Sequence, residues 1–178
     1  TPSAGDLKAA LLTVGDVPSG FSKQSGPPSG AGDSSLSGCA PLATDPPGAR
    51  ASASVVFADA SGTSLSETLL QYTADGAAKA MKQYEGMPTA CGSFSGKVAG
   101  YDVSFTAAAL SLPSTGDRST TTRFTGVITE LGVTLYSDVR AVQHGSTVIV
   151  VSHSGLAVDT DLTRDTADTA YKKVAARW

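Results

Sequence analysis

Between Thr121 and Ser154, apolar residues recur at alternate positions in three β-rich runs separated by two short Gly-containing turns. A period of two marks half-buried strands. The stretch TTRFTGVITELGVTLYSDVRAVQHGSTVIVVSHS therefore predicts a three-stranded antiparallel meander. With Leu131-Gly132 and His144-Gly145 as two-residue hairpin loops, Phe124 falls opposite Val139, Ile128 opposite Leu135, Ala141 opposite Val148, and Val139 also opposite Val150. These residues make one almost wholly apolar face that another part of the chain must cover. The other face carries Arg123, Thr125, Tyr136, Asp138, Arg140 and His153, with Val127, Ile149 and Val151 among them, and is expected to be wet or semi-wet.

Elsewhere the pattern predicts shorter elements. Thr1 to Gly5 reads as a linker remnant and 6–178 as a single domain. Asp6 is placed to cap a helix over LKAALLTV, with Leu7, Leu11 and Val14 on one stripe. Ser22 to Ala49 is rich in Gly, Pro and Ser and poor in apolar residues. SASVVFAD and TSLSETLLQYT flank the turn signal Asp59–Gly62 and predict a hairpin, with a helix over Ser66 to Tyr72 as the alternative, since Leu65, Leu69 and Leu70 do not alternate cleanly. Asp75 caps a helix in which Ala77, Ala80, Met81 and Tyr84 share a stripe and Gly86 is the natural stop. SFSGKVAGYDVSFTAAALSLP holds further strands ended by Pro113, and STGDRS turns into the meander. Asp159 or Asp161 caps a closing helix from Leu162 to Arg177, the expected cover for the meander's apolar face. Strands in hairpin succession with interspersed helices give an α+β fold: a twisted antiparallel sheet with N-terminal, middle and C-terminal flanking helices.

Length and composition narrow the class. The 178 residues suffice for one cored domain and are short for two. A net charge of -3 without a basic block disfavours nucleic acid. No run approaches the roughly 18 apolar residues of a spanning helix. Charged residues make up 16%, against about 25% on average. With Ser, Thr, Gly and Ala abundant, this favours a protein exported after removal of an upstream targeting segment over a cytosolic one.

Cys39 and Cys91 lack a CxxC partner or a His at ligand spacing, which argues against metal and redox motifs. A disulfide in an oxidising compartment is the better reading. Two unpaired thiols in a cytosolic protein are the alternative.

LLTVGDVPSGF, the Cys39 in SGCAPL, the helix ending in Ala90-Cys91, and LPSTGDRS before the strand carrying Arg123 together resemble the extracytoplasmic sensor-type domains of actinobacteria. That PknH-like family includes kinase extracellular domains and stand-alone lipoproteins. The resemblance implies a twisted antiparallel sheet flanked by helices, a cleft for an unknown ligand, display outside the membrane, and no catalysis. Kinase-linked members usually carry a second cysteine pair. Its absence here favours a free-standing lipoprotein with its lipidated cysteine upstream of Thr1. A kinase's phosphate loop and HRD-type catalytic loop are both missing from the sequence.

Candidate chemistry is sparse. No GxSxG elbow and no calcium-loop spacing occur. His144, in a turn, is expected to be exposed, and Asp117 to accept backbone N–H bonds. The sharpest candidate is an anion-receptive patch of Arg123, Tyr136, Arg140 and His153, with Asp138 beside or between the two guanidiniums, because Arg123 falls opposite Arg140 in the expected register. A solvated sheet face is its rival.

The expected function is a non-catalytic, ligand- or partner-binding extracytoplasmic domain. It would act as a monomer without cofactor or metal, its ligand a small molecule or cell-envelope component, touching the membrane only through an upstream anchor. One alternative is an apolar-ligand carrier with a closed pocket lined by Phe57, Leu70, Met81 and Phe105. Others are a hydrolase of unrecognised geometry, favoured by a Ser or Asp within reach of His153, and an adhesion or scaffold role.

Overall fold

In the computed structural model, 1–25, Cys39 and 48–178 are described. Most of the Ser22–Ala49 stretch therefore lies outside the described residues. Eight antiparallel strands form one sheet: β1 (Ser22–Lys23), β2 (Ala51–Ala58), β3 (Ser64–Gln71), β4 (Ser93–Val98), β5 (Tyr101–Ala109), β6 (Arg118–Ile128), β7 (Val133–His144) and β8 (Thr147–Gly155), in the spatial order β1-β2-β3-β8-β7-β6-β5-β4. Among the described residues three α-helices accompany them: α1 (Ala4–Ala10), α2 (Ala74–Ala90) and α3 (Thr160–Ala175). The α+β class predicted from the sequence is the one observed.

The hairpin of β2 and β3 forms as expected, and Ser66 to Tyr72 is not helical. The meander also forms, but both of its registers are offset by two residues from the expectation. Phe124 pairs with Ser137 and Ala141 with Val150. The turns explain the offset. A two-residue type I′ loop at Leu131-Gly132 needs positive φ at both positions, which a Leu resists. The chain instead uses a four-residue connection, Thr129 to Gly132, with Gly132 at φ 62°. In the next hairpin Gly145, at φ 56°, takes the first central position that only a glycine accepts readily, so the loop is Gly145-Ser146. A slip of two preserves the face of every side chain. The division into two faces therefore survives.

The covering of those faces does not follow the expectation. The apolar face, with Phe124, Val139, Ala141 and Val148, packs under α2 around Met81 and Met87, with the Cys39–Cys91 disulfide at its margin. The closing helix α3 lies instead on the opposite face, against Val142, Ile149 and Val151, through Ala167, Ala170 and Val174. Beside it α1 covers β2 through Leu7 and Ala10. The face expected to be wet is therefore dry over β2, β3, β8 and β7. Its apolar members, together with Val55, Phe57, Leu65 and Leu69, supply a second core. Over β4, β5 and the outer end of β6 that face has no helix on it among the described residues, and Ser104, Thr106, Ala108 and Val127 are exposed.

Helix ends depart from the sequence reading where a better cap lies nearby. Ser3, not Asp6, caps α1. The Ser3 hydroxyl accepts the Asp6 N–H while the Asp6 carboxylate accepts the Ser3 N–H, a reciprocal box that starts the helix early. Thr73 caps α2, which runs through Gly86 and carries Pro88 in its last turn. Asp159 caps α3 by accepting the Leu162 N–H. No described helix is long and apolar enough to cross a membrane.

Candidate functional site

Arg123, Tyr136, Asp138, Arg140 and His153 all project from the face that α3 covers. The corrected register places Arg123 opposite Asp138, and Asp138 opposite His153, so the expected side-by-side guanidiniums do not occur. Arg123 donates through Nε and Nη2 to the two Asp138 oxygens, each at 2.7 Å, and Nη2 also reaches the Thr160 hydroxyl at the start of α3, at 3.1 Å. Two parallel N–H···O bonds make this the strong form of an ion pair. The Asp138 carboxylate also accepts the Thr163 hydroxyl at 3.1 Å, and that hydroxyl lies 3.4 Å from His153 Nδ1. Asp138 and His153 are buried, whereas the Arg123 side chain keeps a fifth of its surface. Burial is the main force holding the His153 pKa below its ordinary value, with the Asp138 charge pulling the other way.

Arg140 belongs to a separate group. It donates to the Thr121 hydroxyl, the Pro113 carbonyl and the Thr115 hydroxyl, at 2.9, 2.7 and 3.1 Å. Thr115 passes its own hydroxyl proton toward Asp168 of α3 at 2.6 Å. The guanidinium is almost fully buried, its Nε is left without a partner, and desolvation lowers its pKa. It thus ties the β5–β6 connection to the sheet. Gly116 sits in this connection at φ 68°, where an added Cβ would lie 2.5 Å from the Gln143 carbonyl oxygen.

Tyr136, half-buried, stands where α3 begins and the uncovered part of the sheet opens, beside Thr125 and Gly155. Arg123 reaches the surface at the same border. His144, expected in the open, is half-buried: its Nε2 lies 2.6 Å from the Trp178 carbonyl oxygen, and its ring meets Tyr171 edge to face. Asp117 accepts the Gly145 N–H at 2.7 Å, in line with a turn residue.

No family model matches this chain, and no curated protein does. Among solved structures it matches the crystal structure of the extracellular domain of PknH from Mycobacterium tuberculosis, with a TM-score of 0.70 and 16% identity over 98% of this chain and 97% of that one. The chain is similar in fold to the PknH extracellular domain. The resemblance expected from scattered landmarks thus extends over nearly all of the PknH extracellular domain.

The alternatives fare differently. Phe57 lies in the core under α1 and α3, Leu70 and Met81 in the core under α2, and Phe105 in a third cluster with Val103 and Ile128. The four residues expected to line one carrier pocket are therefore divided among three clusters and both sides of the sheet. The hydroxyl near His153 belongs to Thr163 and donates to Asp138, whose carboxylate is taken by Arg123. A nucleophilic triad needs its carboxylate on the imidazole instead. Among the described residues no group of three or more His, Cys, Asp or Glu side chains is placed to hold a metal.

Sequence reasoning passed over Glu67. It is fully buried on β3, Oε2 accepting the Leu12 N–H at 2.6 Å and Oε1 having no partner, and desolvation pushes its pKa up to about 7. The signal was present: Glu67 has the parity of Leu65 and Leu69, both core residues.

Proposed function

We propose that this chain is a non-catalytic extracytoplasmic sensor-type domain that holds a ligand or partner against the uncovered end of its sheet. The observation that carries the reading is the likeness to an extracellular domain across nearly the whole chain. The Cys39–Cys91 disulfide supports it, since such bonds persist in oxidising compartments. Arg123 and Tyr136 are the contacting residues at the border of the open surface, flanked by Thr125 and Val127. Asp138 and His153 hold that border in place from beneath, and Arg140 anchors the β5–β6 connection beyond it. An upstream lipid anchor would display the domain on the outer face of the membrane.

Titration of isotope-labelled protein with inorganic phosphate, short dicarboxylates and N-acetylated oligosaccharides, followed by NMR, tests this. Saturable shifts confined to Thr106, Thr125, Val127 and Tyr136, and weakened in Tyr136→Ala, support the proposal. Shifts centred on α2, or turnover of a probe, overturn it.

A further inference from the structure

The segment from α1 to Val17 lies across the sheet over β2; Arg177 donates to its Ala9 carbonyl at 2.8 Å, and further polar attachments involve Glu67 and Lys173. Glu67 of β3 accepts the Leu12 N–H. Lys173 of α3 donates to the Leu11 carbonyl at 2.9 Å and to Asp16 at 2.6 Å. Asp16 also accepts the N–H and hydroxyl of Thr13, both at 2.7 Å. Around Glu67 the cross-strand neighbours are Val55 and Val151, and the segment above contributes Leu11 and Leu12, all buried. The charged groups that bear on its carboxyl are Lys173, which favours the anion, and Asp16, which opposes it. Lys173 makes its contacts to the segment and none to Glu67 itself.

We propose that Glu67 is a proton-operated latch: its neutral carboxyl lets residues 4–17 dock on the sheet, and loss of the proton promotes their release. As a neutral acid the side chain keeps the bond from Leu12 on Oε2 and leaves only an uncharged O–H on Oε1 without a partner, a far smaller cost than a buried charge. As an anion it would be a fully buried charge with one N–H donor on Oε2 and no protein partner on Oε1. A buried charge so poorly compensated is costly. Lifting the segment admits water to it and leaves Lys173 free to turn toward the carboxylate. The latch needs no ligand and stands or falls independently of the binding surface at the other border of α3.

Hydrogen exchange of the full chain, corrected for intrinsic rates and compared at about pH 6 and about pH 8, measures it. With a carboxyl that titrates near 7 when docked and at its ordinary value when released, the opening equilibrium of 4–17 should rise about tenfold over that interval. Peptides from α2 and β6 should not follow, and Glu67→Gln should abolish the rise. Equal opening at both pH values, or a pH response that persists in Glu67→Gln, overturns the proposal. Should that variant not fold, the carboxyl ¹³C resonance of Glu67 in the unaltered protein decides. A midpoint near neutrality that coincides with the exchange change supports the latch, and a midpoint below about pH 5 removes it.

Discussion

Breaking the Cys39–Cys91 bond is the perturbation whose size follows most directly from the structure. The bridge closes 52 residues of chain, a loop that contains β2, β3 and all of α2. In the chain-entropy account, a cross-link over this length removes about 14 cal/mol/K from the unfolded ensemble, or about 4 kcal/mol at 25 °C. With an unfolding entropy of about 2.1 cal/mol/K per residue, the loss should lower Tm by roughly 10 °C. Both cysteines are buried at the margin of the α2 core. Cys39→Ala/Cys91→Ala therefore adds a packing cost, and the cleaner comparison is the natural sequence refolded with and without a strong reductant. Urea unfolding followed by circular dichroism should show the midpoint falling and the m-value rising, because the uncrosslinked unfolded chain exposes more surface. A Tm change under about 3 °C with the m-value unaltered would refute the reasoning, because it would mean that the bridge restrains nothing the fold does not already hold.

Two further outcomes concern the buried charges. Asp138→Ala removes the carboxylate that pairs with Arg123 and accepts from Thr163, leaving the guanidinium only its bond to Thr160; because Arg123 keeps some solvent contact, the cost should be about 2–4 kcal/mol by denaturant unfolding, and a loss below about 1 kcal/mol would show the pair to be incidental. His153, with its folded-state pKa depressed, contributes stability that is complete above its unfolded value of 6.5 and fades as pH falls through the folded value. Glu67 works in the opposite sense, its raised pKa removing stability as pH climbs from 4.5 toward 7. The difference in unfolding free energy between the unaltered protein and His153→Gln should therefore shrink toward acid pH, and a difference that is flat from about pH 5 to about pH 7.5 would count against a buried neutral imidazole.

Much of the architecture was legible because it is local. The period of two in Thr121–Ser154 named three strands, and parity alone kept Asp138 and His153 on one side even though both turns were placed one step off. The rest failed where a decision depended on distant partners. Nothing in Ala167, Ala170 and Val174 says which face of the sheet they will meet. The sequence alone therefore places α3 on the wrong side, and the polar row of Arg123, Asp138, Arg140 and His153 reads as solvated although α3 buries most of it. A strand that carries Ile149 and Val151 beside His153 is apolar enough on both faces to be covered twice, and that clue outweighs the polar residues. The candidate site was found as a set of residues but not as an arrangement, because pairing Arg123 with Asp138 required the turn geometry at Gly132.

The sheet is wired almost entirely between neighbours in the chain, and one line joins its two ribbons: β3 against β8, with Ser64 beside Ser154 and Leu69 beside Ile149. Apart from the two-residue β1, every other pairing needs only a hairpin or an excursion of at most about ten residues, whereas this one must wait for some eighty intervening residues to come round. Until it does, Thr147–Val151 offers an unpaired β-branched border to any passing molecule. Refolding yield should accordingly fall as protein concentration rises, for the last stitch of the fold also hides its stickiest thread.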